Sequence, residues 1–376
     1  MIAPAYSAAR AAALIVLPHL QEHLVSAAVM GPEPARMPDA DTIAMMLDAA
    51  FWASLRREEG FSPKISLAFV APDQVSSPLT FARPLPVLAQ PLTRLAPALE
   101  RPGIHLGIWY EGEDLCVWGA TRALPPFCFV IEVVAPGLLV IKHSRESSKF
   151  LNIAVIEGNH IKVIDQRAAT TPDCPDLLIQ LLGLHSHYAS KQHVNVLIQL
   201  ATSMRAHGRG GTLLVVPADG LKWRDSILSP ITYEVVPAFS GLADLMHVDP
   251  NERRHNSWQD PLRRAVEGFA GLTAVDGATV ITDHHHLLAF GAKIVRRTGS
   301  PQVDRVIVTE PIEGASPVIT EPAQLGGTRH LSAAQFAHDQ QDAIALVASQ
   351  DGRFTVFGWS PSEDMVHAHR IETLLL

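Results

Sequence analysis

Cysteine is scarce in this 376-residue sequence. Cys116, Cys128 and Cys174 are the full complement, too few and too irregularly spaced for a disulfide framework or a thiolate zinc site. A reducing compartment suits such a chain, and the three thiols read as small buried hydrophobes. Charge is sparse too, at 18% of residues, and leans acidic, with 30 Lys and Arg against 38 Asp and Glu. That balance excludes a protein devoted to coating duplex DNA and leaves room only for a local basic pocket. No basic run carries interleaved aromatics, so no nucleic-acid partner is expected. Long apolar runs are missing as well. The richest stretch, 127–141 (FCFVIEVVAPGLLVI), is short and broken by Glu132, Pro136 and Gly137. It predicts two buried strands about a Pro-Gly turn rather than a membrane span. After Arg10, AAALIVLP imitates a leader, but HLQEHL follows at once with charge and helical spacing. We read 7–30 as an amphipathic helix of a cytoplasmic protein.

What the chain does have is apolar bulk, 47% of its residues, enough to exclude wholesale disorder and to fill two or three domain cores. The first region, 1–166, reads as an α+β domain. Ile43, Met46, Leu47, Ala50, Phe51 and Leu55 recur at helical spacing, with Asp41 as the expected cap. A strand at 66–70 and a short helix at 91–100 follow. Then come alternating apolar runs, with EGED (111–114) and EGNH (157–160) at the clearest hairpin positions. Trp109 and Trp118 fall on neighbouring strands and read as sheet packing. Residues 167–184 carry Thr-Thr-Pro and Cys-Pro, the punctuation of a linker. From 185 to 376, helices and strands alternate, which predicts an α/β unit around a mixed sheet flanked by helices.

The chemistry is expected in this second region. Gly326-Gly327-Thr328-Arg329-His330 stands just before a helix. Glycines let main-chain N–H groups approach a ligand, the first helical turn leaves donors unpaired, and Arg329 offers a fork matched to phosphate oxygens. Asp276-Gly277-Ala278 opens the strand DGATVI, where a carboxylate beside two small residues is able to hold a divalent cation or take a proton from a hydroxyl. Ser349-Gln350 closes the strand AIALVAS and leads into a turn through Asp351-Gly352. Taken singly, each of these is equally compatible with ordinary turn and cap chemistry. Asp283-His284-His285-His286 reads as an exposed hairpin tip, because consecutive side chains on an extended chain diverge. His185, His187 and His193 read as the approach to a helix.

In order, GRGGTLLVV, DGATVI, LLAFGA, GTRH and AIALVASQDGRFTVF resemble the diadenylate cyclase (DAC) domain of the DNA-integrity-scanning and membrane-associated c-di-AMP synthases. The resemblance covers about 185–376. It implies that Asp276 binds a metal ion, Mg²⁺ or Mn²⁺, and assists attack by a ribose 3′-hydroxyl. By the same resemblance, Gly277 and Ala278 admit the nucleotide. Gly327, Thr328, Arg329 and His330 hold the triphosphate, and Ser349 adds a phosphate contact. The implied reaction joins two ATP molecules into c-di-AMP and two pyrophosphates. Its two-fold symmetry requires DAC domains face to face, hence a homo-oligomer. The family's next motif residue is arginine, whereas this chain has Leu331, with Arg296, Arg297 or Lys293 of a neighbouring segment as candidate substitutes. Two readings stay open: an active cyclase, or a DAC-like domain kept for nucleotide sensing. By arrangement, 1–166 resembles the sensor extensions that precede divergent DAC domains, with a ligand or partner of its own.

Overall fold

The computed structural model describes residues 6–27, 34–99, 103–145, 150–165, 173, 175, 195–249, 252–254 and 256–376. Two compact units emerge, Met1–Ile164 with Leu376, and Asp165–Leu375. Of the expected linker 167–184 only Asp173 and Pro175 are described; His185, His187, His193 and Cys174 lie outside the described residues.

The first unit is one eight-stranded sheet with helices on one face. Its helices are α1 (Ser7–Ala27), α2 (Ala40–Ser54) and α3 (Ala89–Leu95). Its strands are β1 (Ile65–Phe69), β2 (Leu79–Pro86), β3 (His105–Glu111), β4 (Asp114–Thr121), β5 (Phe129–Ala135), β6 (Leu138–Ser144), β7 (Phe150–Glu157) and β8 (His160–Val163). They lie in the order β2-β4-β3-β1-β5-β6-β7-β8. Ala9, Ala12 and Val16 of α1 and Met46, Leu47 and Ala50 of α2 share a buried cluster with Leu67, Phe69, Ile131 and Ile141 of the sheet. Full burial of each such aliphatic side chain contributes about 1.5–3 kcal/mol. The cap of α2 is Asp39 and not Asp41. Asp39 is extended and its carboxylate accepts from the Thr42 N–H at 2.8 Å. Asp41 already lies in the first turn, where its charge suits the helix dipole and pairs with Arg10. Both expected hairpins form, each with a glycine of positive φ as the first of two turn residues, Gly112 and Gly158.

The second unit is a nine-stranded mixed sheet between two helical layers. Its helices are α4 (Val196–Ala206), α5 (Gly241–Met246), α6 (Asn256–Leu272) and α7 (Thr328–Asp339). Its strands are β9 (Gly211–Val216), β10 (Tyr233–Phe239), β11 (Ala278–Thr282), β12 (Leu287–Ala292), β13 (Val306–Thr309), β14 (Val318–Thr320), β15 (Ile344–Ala348), β16 (Phe354–Ser360) and β17 (Met365–Arg370). The order is β10-β12-β11-β9-β15-β16-β17-β13-β14. Strand β9 shows why its run TLLVV is apolar throughout. Leu213 and Val215 pack with Leu200, Met204, Leu262 and Phe269 on one face, while Leu214 and Val216 pack with Ala333, Phe336 and Ala337 of α7 on the other. The two-part α/β architecture expected from the sequence is therefore what forms.

Candidate active site

Strand register brings the expected residues to one end of the second sheet. β11 runs parallel to β9 with Ala278 opposite Thr212, and β15 runs antiparallel to β9 with Ala348 opposite Gly211. Gly210, Asp276 and Ser349 each lie one or two residues beyond these pairings, at the same sheet end. Arg329 arrives from above the sheet, on the first turn of α7. A Cβ built on Gly210 would fall 2.9 Å from Arg329 Nη1, 3.2 Å from the Ala348 carbonyl oxygen and 3.4 Å from Gln350 Cγ. Gly210, with φ +70°, is thus the floor on which the guanidinium rests. The GRGG segment reads as a strand start and as part of the DAC-like run, with no role for Gly210 itself; the signal for Gly210 lies in a contact 119 positions away in sequence, which no local pattern encodes.

Asp276 stands in the open, its side chain 93% exposed, and pairs with the Lys293 ammonium. The hydrogen bond and charge of Lys293, aided by the charge of Arg329, hold its carboxyl below the usual aspartate range. Among the described residues, Arg329 itself has no carboxylate within salt-bridge distance, so a guanidinium is left for an anion. Gly277 has φ +115°, and a Cβ there would come within 2.5 Å of the Gly291 carbonyl carbon. The two glycine backbones meet at the edge of the β11–β12 pairing, beside Ala278 opposite Ala292. Ala278 is buried in the sheet core.

At the start of α7, Gly327 is the N-cap residue and has no side chain to satisfy the first turn. Thr328 is exposed there and Arg329 half-buried. His330 does not join this open group. It is 3% exposed, edge-on to Phe357 with ring centroids 6.0 Å apart, and burial lowers its pKa. Its Nε2 is buried without a hydrogen-bond partner. Ser349 turns the chain at the end of β15, donating its N–H to the Arg353 carbonyl at 2.9 Å and accepting from the Gly352 N–H at 3.2 Å. Arg353 and Arg370 share this sheet end but are already paired, with Asp351 at 3.3 Å and Glu372 at 2.7 Å.

Of the three cations weighed against Leu331, Lys293 is placed at the site by its pairing with Asp276. The Arg297 N–H donates to Asp339 Oδ2 at 2.8 Å, at the last residue of α7. That position is roughly 16 Å along the helix from Thr328. Leu331 is 39% exposed on the first turn. No group of three His, Cys, Asp or Glu able to hold a metal ion occurs among the described residues. One carboxylate suits a cation shared with substrate phosphates, as Mg²⁺ commonly is, and does not suit a resident ion. Likewise, no helix among the described residues is long and apolar enough to cross a membrane. Asp283–His286 forms the β11–β12 turn at the opposite end of these strands, with φ +66° at His285.

Residues 32–122 match the family described as probable sensor domain DACNV. The DACNV region takes in α2, β1, β2, α3, β3 and β4, so the first unit carries a sensor-type domain. Within it, Trp118 lies buried against Gly107 and donates its Nε1–H to the Val70 carbonyl at 2.8 Å. No curated protein matches the chain. Among solved structures, the chain is similar to DacA from Staphylococcus aureus, at 14% identity and a TM-score of 0.23, over 46% of this chain and 83% of that one. It is also similar to a hypothetical membrane spanning protein from Bacillus cereus, at 16% identity and a TM-score of 0.25, over 46% of this chain and 61% of that one.

Proposed function

We propose that the second unit is a diadenylate cyclase governed by the DACNV-bearing first unit. The observation that carries this reading is the meeting of Asp276, Ser349 and Arg329 at one sheet end, where the charge of Arg329 acts on Asp276 and its guanidinium lies over Gly210, beside Ala348 and Gln350. These residues stand in the motif order of that family. Phosphoryl transfer asks the protein chiefly for positioning and charge neutralisation. The ribose 3′-oxygen of one ATP forms a bond to the α-phosphorus of the other, the bond from that phosphorus to the bridging oxygen breaks, and pyrophosphate leaves with the electron pair. Two such steps give c-di-AMP and two pyrophosphates. Asp276, kept ionised by Lys293 and Arg329, takes the 3′-hydroxyl proton or orients the attacking oxygen. The unpaired N–H groups at the start of α7, the Thr328 hydroxyl and the Arg329 fork bind the triphosphate, and Ser349 adds a contact beyond Gly210. Mg²⁺ or Mn²⁺, held by Asp276 together with the phosphates, would neutralise their charge. Two-fold symmetry of the reaction makes a second copy of the chain the necessary partner.

The test is incubation of the full chain with ATP and Mn²⁺, followed by chromatography. The expected result is c-di-AMP and pyrophosphate in a one-to-two ratio, reduced at least about 100-fold in Asp276→Asn. An oligomer that gives no cyclic product rejects the cyclase. The exposed Leu331 favours one other reading, a nucleotide sensor without turnover. Calorimetric ATP binding with no product supports that reading, and absence of binding removes both.

A further inference from the structure

Lys293 lies outside every motif that marks the site, immediately after β12. The segment it opens is anchored by two backbone bonds: the Leu228 N–H donates to the Lys293 carbonyl at 2.8 Å, and the Val295 N–H to the Ser226 carbonyl at 2.9 Å. Ser226 Oγ in turn accepts from Gln340 Nε2 at 2.9 Å, just beyond α7. From this anchored backbone the side chain, 50% exposed, sets its ammonium on the Asp276 carboxylate. At the same sheet end, position 331 offers leucine and no charge.

We infer that Lys293 is a polyphosphate-binding cation that rests on Asp276 until a metal–nucleotide arrives, an assignment that stands on the nucleotide-site reading above. An exposed ion pair of this kind is weak, so its exchange costs little. The ammonium carries three donors on a flexible stem and turns readily from a carboxylate to a phosphate oxygen. Once Asp276 faces a divalent ion, Lys293 is repelled by that ion and drawn to the phosphates beside it. Lys293 therefore acts in two opposite senses: it competes with a divalent cation for Asp276 and attracts the triphosphate.

Those opposite signs make the test. ATP affinity is measured by calorimetry with EDTA and with Mg²⁺, and Mn²⁺ affinity without nucleotide by electron paramagnetic resonance, for the full chain and for Lys293→Met, Lys293→Arg and Asp276→Asn. Lys293→Met is expected to bind ATP about tenfold more weakly in EDTA and Mn²⁺ alone about two- to five-fold more tightly. Lys293→Arg keeps ATP affinity, and Asp276→Asn raises it in EDTA, because the carboxylate no longer occupies the lysine or repels phosphate. A merely structural role would weaken both ligands together or neither. If the natural chain binds ATP and Lys293→Met matches it within twofold, or loses Mn²⁺ affinity as well, the inference on Lys293 falls alone. If the natural chain binds ATP under neither condition, the nucleotide-site reading fails and this inference with it.

Discussion

Nη1 of the Arg329 guanidinium lies over Gly210, 2.9 Å from where a Cβ on that residue would fall. One residue on the first turn of α7 is thereby referenced to the strand that separates Asp276 from Ser349. Helix α7 and strand β9 meet through this contact at the sheet end that holds the candidate site.

Gly210→Ala tests that contact. The added methyl meets Nη1 at 2.9 Å and occupies a φ of +70°, at a cost in folding of about 1–2 kcal/mol. The fold persists, and ATP affinity drops to the level of Arg329→Gln. Calorimetry beside circular dichroism checks both halves; a variant with unaltered affinity would remove Gly210 from the positioning role.

On the proposed cyclase reading, Leu331→Arg introduces the charge that the DAC motif carries at this position. A charge-assisted contact to phosphate is worth about 1.5–3 kcal/mol, so ATP affinity or turnover is expected to rise at least about tenfold. Steady-state kinetics of the two proteins side by side decide it. Equal behaviour would mean that position 331 does not face the triphosphate.

Asp339 makes a different kind of demand. Burial works against its charge, but it is outweighed by bonds from Ser300 Oγ, the Arg297 N–H at 2.8 Å, Gln335 Nε2 at 2.9 Å and His338 Nδ1 at 3.1 Å, and the pKa is lowered. The carboxylate staples the loop after β12 to the end of α7. Asp339→Ala strands those donors and should cost about 3 kcal/mol in urea unfolding, with Asp339→Asn nearer 1–2 kcal/mol. A loss below 0.5 kcal/mol for the alanine variant would contradict this account.

Acid should loosen the first unit through two histidines. Burial, with the Lys142 charge beside it, lowers His105 to about 4, and burial likewise lowers His143 to about 4. The unfolded chain binds these protons first, near pH 6.5. Stability is therefore complete above that value and falls as pH drops toward 4, by on the order of 1–3 kcal/mol per histidine. Urea midpoints measured from pH 7.5 to 4.5 should decline, and His105→Gln with His143→Gln should flatten the slope. An unchanged slope would place the acid-sensitive groups elsewhere.

Local chemistry carried much of this fold into view. The turns at Gly112, Gly158 and Pro136–Gly137 are written in two residues each, and the apolar run of β9 announces a strand covered on both faces. Strand β10 was not legible, because Pro237 interrupts it and most of its residues face outward at the sheet edge. Strand β17 hid for the opposite reason: His367 and His369 look polar in sequence yet are buried. The candidate site divides in the same way. Asp276, Thr328, Arg329 and Ser349 sit in recognisable strings, whereas Gly210 and Lys293 matter only through pairings across the sheet that register creates. His330 shows the limit of a motif read as a string, since helical periodicity turns it inward while its neighbours stay open.

The three-histidine turn and Asp276 occupy opposite ends of β11, roughly 20 Å apart along the strand direction. A tether or reporter dye fixed at His284 would leave the far end unobstructed. Immobilised on such a handle, the second unit keeps the Asp276 end of its sheet away from the point of attachment.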